Sequence, residues 1–133
     1  MTRVLFVCLG NSCRSQMAEG FARAYGSGVW EVESAGLMSA AGIAPLTRQV
    51  MEEEKIDLGD QFPKPIEWTR PDQFDLVVNM SGYDLPREFA AKERRWNVDD
   101  PIGCSTKVYR RVRDEIDALV RVLLDEVRAS SQP

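Results

Sequence analysis

Val4-Leu5-Phe6-Val7-Cys8-Leu9-Gly10-Asn11-Ser12-Cys13-Arg14-Ser15 decides how this chain is read. The opening apolar run, Arg3 to Val7, is rich in β-branched and aromatic residues and predicts a buried strand. From Ser15 to Tyr25, apolar residues at Met17, Ala18, Phe21, Ala22 and Tyr25 recur at helical spacing, and Gly26-Ser27-Gly28 stops the helix. The Cys8–Ser15 segment is therefore a loop between a strand end and a helix N-terminus. Such a loop aims backbone N–H groups and the positive end of the helix dipole at one small volume.

Outward from that unit, Val29–Ser34 alternates as a strand, and the small residues of Ala35–Ala44 predict a loop. Pro45 suits the first turn of a helix running to about Lys55, with Glu52-Glu53-Glu54 on a solvated face. Gly59–Pro71 reads as an irregular surface stretch. Asp75–Asn79 is a second buried strand, Leu85–Glu93 is weakly helical, and Arg95–Val98 is a short strand. A long helix over Thr106–Ala129 carries an apolar stripe from Val108 to Val127. Strands alternating with helices predict an α/β fold, a parallel sheet with helices on both faces, in one domain over residues 1–133. Ligands of such sheets bind beyond the carboxyl ends of the strands, where a topological switch point opens a crevice.

Composition prunes the functions. With 44% hydrophobic and 29% charged residues, the chain is globular rather than disordered. A net charge of −4 leaves no basic footprint for nucleic acid. No segment is apolar enough to span a bilayer, and the run after Met1-Thr2-Arg3 is too short for a signal peptide. Three scattered cysteines do not make a disulfide framework, so a reducing cytoplasm is expected. The chain has no histidine, which excludes Ser-His-Asp and Cys-His machinery and histidine-bearing zinc sites. No metal or cofactor is expected.

Cysteine, five residues, arginine and a hydroxyl form a compact recipe for attacking a tetrahedral oxyanion. Thiols at helix N-termini and beside cations ionise more readily than free ones, so Cys8 needs no general base. Arg14 offers a planar fork for two non-bridging oxygens, and it strengthens as charge spreads in the transition state. Ser15 would hydrogen-bond the nucleophile. Gly10 permits a tight loop, and Asn11 tolerates positive φ while bracing it. Leu9, Gly10, Asn11, Ser12, Cys13, Arg14 and Ser15 are thus the candidate binding loop. A leaving group needs a proton, and Asp99-Asp100-Pro101 follows the last strand. Asp100, beside the rigid proline, is the candidate general acid, and Asp99 a cap or loop residue.

Together these residues resemble the low-molecular-weight protein tyrosine phosphatase superfamily, which includes thioredoxin-coupled arsenate reductases. The resemblance also covers Gln16–Gly20, Ser34-Ala35-Gly36, Asp75–Val78 and the terminal helix. It implies a three-layer α/β/α fold on a four-stranded parallel sheet, with Cys8 as nucleophile, Arg14 as oxyanion clamp and Asp100 as general acid.

Two activities divide that family. Residues 10–20 are closest to the arsenate reductases, which carry a pair of redox cysteines after the strand matching Asp75–Asn79. Here Met80-Ser81-Gly82-Tyr83-Asp84-Leu85 stands instead. Regeneration of an arsenylated Cys8 would then need an external thiol donor, or Cys104. Eukaryotic-like phosphatases line the pocket with aromatic residues after the Asp-Pro pair, where this chain has Ile102-Gly103. Leu9, Leu37, Met38 or Ile102 would have to form the wall. The primary expectation is a cysteine-dependent phosphatase for aryl phosphate monoesters, small or on protein phosphotyrosine, through a phosphocysteine intermediate. The alternative is an arsenate reductase regenerated by an external thiol, and a third reading is an idle anion-binding domain. A Cys8–Cys13 disulfide protecting the nucleophile is a further expectation.

Overall fold

The computed structural model describes residues 1–130, so residues 131–133 of the expected 1–133 domain lie outside the described part. Strand β1 (Thr2–Cys8) leads through the loop into helix α1 (Arg14–Tyr25). Then come β2 (Trp30–Gly36), α2 (Pro45–Glu53), β3 (Leu76–Asn79), α3 (Arg87–Ala90), β4 (Glu93–Arg95) and α4 (Thr106–Ser130). The four strands form one parallel sheet in the order β2-β1-β3-β4. The chain therefore leaves β1 to one side for β2 and returns to its other side for β3. That reversal puts the switch-point crevice at the carboxyl ends of β1 and β3, where Cys8 emerges.

Alternation along β1 divides the core. Val4, Phe6 and Cys8 face α1, α2 and α4, with Met17, Phe21, Val50, Ile116 and Val120 fully buried against them. Leu5 and Val7 face the other way, onto Ile66, Phe74, Val77, Leu85 and Phe89. That second face is covered by single turns at Ile66–Trp68 and Pro71–Gln73 and by the four-residue α3. The α4 stripe packs on the chain's own first layer, with Val112, Ile116, Val120, Leu123, Leu124 and Val127 buried. No helix among the described residues is long and apolar enough to cross a membrane.

Most boundaries shift by a residue or two, and three elements differ in ways that the packing explains. Strand β2 runs on through Ala35 and Gly36, because parallel register carries those two residues against Val7 and Cys8. The helix expected over Leu85–Glu93 shrinks to Arg87–Ala90, and the strand expected over Arg95–Val98 is Glu93–Arg95. There the Lys92 carbonyl and the Trp96 N–H pair with Val77 and Asn79. The apolar letters misled: Trp96 and Val98 are core side chains just past the strand, with Trp96 5.9 Å from the Phe6 ring. The charged Glu93-Arg94-Arg95 makes an edge that discourages a foreign strand.

Candidate active site

The peptide carbonyls of residues 8–13 are all taken on the outer side of the loop. Those of Cys8, Leu9 and Gly10 accept from the N–H groups of Leu37, Met38 and Ala40 at 3.1, 2.8 and 2.8 Å. The Asn11 carbonyl accepts from Gln16 Nε2 at 3.0 Å. Ser12 accepts from the Ala44 N–H at 3.0 Å and Cys13 from Met17 at 2.9 Å. A trans peptide points its N–H opposite its C=O, so tying the carbonyls outward leaves the amide edge of the loop toward the pocket. Successive N–H groups in such a turn make an anion-binding concavity, reinforced by the N-terminus of α1.

Inside the turn, Asn11 lies in the left-handed region at φ 51. Its side chain accepts the Lys64 N–H at 3.0 Å and donates to Ser15 Oγ at 2.7 Å. With that lone pair occupied, Ser15 has its own proton to offer Cys8 Sγ, 2.8 Å away. The Ser15 N–H adds a longer contact to the same sulfur at 3.5 Å. Two donors on one sulfur suit an atom carrying negative charge. Gly36, beneath the turn, has no space for a side chain. A Cβ there would come within 2.8 Å of the Leu9 carbonyl oxygen and 3.0 Å of the Asn11 nitrogen.

Arg14 spans the switch-point crevice. Its Nη1 donates to the Met80 carbonyl, just past β3, and to that of Val98, past β4, at 3.0 Å. Its Nη2 lies 3.7 Å from Asp100 Oδ2. The guanidinium is almost wholly buried, whereas the Asp100 side chain is 43% exposed and can reach water. Asp100 Oδ1 also accepts the Ile102 N–H at 3.1 Å. Asp99 turns away to pair with Arg111 at 3.4 Å, as a loop residue would.

Cys8, Leu9, Gly10, Ser12, Cys13, Arg14, Met38, Asp100 and Ile102 line a pocket of about 280 Å³. The structure thus brings together Cys8, Arg14 and Asp100. Asn11 and Ser15, also expected in the binding loop, are fully buried behind it as braces. The Cys13 thiol packs into the core beside Thr47, and burial pushes it up from 9.0 to about 12. All three cysteines are free, and Cys104 is exposed. Met38 and Ile102 form the lip, while Leu37 packs into the second core. Lys92, Arg94 and Arg95 serve structure: Lys92 binds the Pro71 and Phe74 carbonyls, Arg94 pairs with Glu126, and Arg95 with Asp84 and Glu93. Sequence reasoning missed Thr47, Lys64 and the carbonyls of Met80 and Val98. Backbone contacts and a lone buried hydroxyl leave no letter pattern.

Residues 3–132 match the model of the family described as low molecular weight phosphotyrosine protein phosphatase. The chain is 40% identical over 131 residues to the glutaredoxin arsenate reductase of Synechocystis sp., covering 96% of this chain and 99% of that one. It is 40% identical over 122 residues to arsenate reductase 1 of Bacillus cereus, covering 89% and 90%. A solved structure described as an arsenate reductase in the phosphate binding state superposes with a TM-score of 0.90 at 40% identity, over 96% of this chain and 99% of that one. These relatives overturn the expectation of a phosphatase for aryl phosphate monoesters and favour the arsenate alternative. The error has a physical source. Phosphate and arsenate are both tetrahedral oxyanions, so the Cys8–Arg14 loop reads the same for either. The pocket wall, with no aromatic ring among its lining residues, has nothing to stack on a phenyl ester.

Proposed function

The chain belongs to the low molecular weight phosphotyrosine protein phosphatase family, and on that premise we propose that it is an arsenate reductase whose nucleophile is regenerated by an external thiol. The supporting observation is the joint presence of Cys8, Arg14 and Asp100 around one pocket in a chain 40% identical to named arsenate reductases.

In the proposed reaction the Cys8 sulfur attacks arsenic and a sulfur–arsenic bond forms. One arsenate oxygen departs as water, taking a proton from Asp100. Arg14 and the loop amides hold the remaining oxygens while charge redistributes. A donor thiolate then attacks Cys8 Sγ. A disulfide forms, the sulfur–arsenic electron pair passes to arsenic, and As(V) leaves as As(III), arsenite. A second thiol releases Cys8, so two donor thiols become one disulfide per arsenite formed.

The external donor is favoured because Met80, Ser81 and Gly82 stand where the family resemblance leads one to expect redox cysteines. Ser81 is instead a buried structural residue, its hydroxyl donating to Asn79 Oδ1 at 2.6 Å. The name of the Synechocystis relative points to a glutaredoxin as donor. A reaction that consumes thiols suits a reducing compartment, in keeping with the expected cytoplasmic location.

Arsenite formation with glutathione and glutaredoxin tests this. The expected result is turnover abolished in Cys8→Ser and slowed about 100-fold or more in Asp100→Asn. Arsenite production that survives Cys8→Ser would defeat the proposal.

A further inference from the structure

The carbonyl of Ser12 differs from its neighbours in the loop because it accepts two hydrogen bonds. One comes from the Ala44 N–H at 3.0 Å. The other comes from Thr47 Oγ1, at 3.1 Å. Thr47 lies in the first turn of α2 and is fully buried.

We propose that Thr47 is a positioning residue of the anion loop: its hydroxyl fixes the Ser12–Cys13 peptide so that the Cys13 N–H meets the bound oxyanion. This deepens the function proposed above and rests on the loop being its anion site.

Direction follows from proton inventory. A carbonyl oxygen can only accept, so the Thr47 hydroxyl proton goes to the Ser12 carbonyl. A single bond from Ala44 would let the peptide plane tilt about that contact. The second bond occupies the other lone pair and removes the tilt. No peptide among the described residues is cis, so the N–H on the far side of this one is fixed with its carbonyl. A donor aimed at an oxyanion is worth most when it need not reorient on binding.

The test uses inorganic phosphate, which binds without redox chemistry. Its affinity is measured by calorimetry, and the Cys13 N–H is followed by NMR, in the wild type, Thr47→Val and Thr47→Ser. Thr47→Val is expected to weaken phosphate about 3- to 10-fold and to shrink the phosphate-induced shift of the Cys13 N–H, with Thr47→Ser restoring both. In arsenate turnover, KM should rise by a similar factor with kcat little changed, whereas a loss of folded protein would lower kcat alone. Should Thr47→Val fail to fold, Thr47→Ala carries the same expectation. Unchanged phosphate affinity in the folded variant, or a wild-type Cys13 N–H that phosphate does not move, overturns the role of Thr47. A wild type that binds no phosphate at all overturns the anion-site reading itself.

Discussion

Gly36 and Arg14 fix the site from opposite sides, and each is intolerant of change for a different reason. A methyl group at residue 36 would press on backbone, at 2.8 Å from the Leu9 carbonyl oxygen, and backbone cannot swing aside as a side chain can. Gly36→Ala should therefore destabilise the fold by about 1–3 kcal/mol and distort the loop. Denaturant titration beside a phosphate-binding measurement checks both effects. Arg14 is held by two carbonyls and also lines the pocket. Arg14→Lys keeps a charge but loses the planar fork, and kcat/KM for arsenate should fall about 100- to 1000-fold. Cys8, Arg14 and Asp100 were legible in the sequence because their residue types carry the chemistry and their places follow strand ends. Thr47 was not: one threonine between Leu46 and Arg48 gives no sign that it will meet Ser12 35 positions away.

Among the elements, α2 connects the loop to the rest of the first layer. Its N-terminus grips Ser12, and its C-terminal turn is tied to α4 through Glu53, which accepts from Arg110 and from the buried Arg113. The sequence reading left Glu52-Glu53-Glu54 on a solvated face, and all three are exposed there, but it did not foresee that Glu53 would bind α4. Its partners lie 57 and 60 positions away and so outside any local pattern. The Arg110 hydrogen bonds, followed by the one from Arg113, lower the Glu53 carboxyl from 4.5 to about 2. Because the folded chain favours the ionised form, this contribution to stability is complete above pH 4.5 and fades as pH falls toward 2. Thermal melts of the wild type and Glu53→Gln should differ at pH 6 and converge near pH 2. A constant gap across that range would refute the linkage.

For the whole molecule, the order β2-β1-β3-β4 explains why a single crevice collects residues from both halves of the chain. Strand–helix alternation made the parallel sheet legible, and the sheet made the site legible. The activity was harder to read, since one oxyanion cradle serves hydrolysis of phosphate and reduction of arsenate alike. What separates them is the source of electrons. Cys104, exposed on the loop after Asp100, is not needed if those electrons come from outside. Cys104→Ser should keep arsenate turnover within about twofold of wild type in a glutathione-coupled assay. The most direct measurement is intact-mass and peptide mapping of protein quenched during turnover with arsenate and glutathione. A glutathione mixed disulfide on Cys8, formed only when arsenate is present, is the expected result. An internal disulfide joining Cys8 to Cys13 or Cys104, with no glutathione on Cys8, would contradict it.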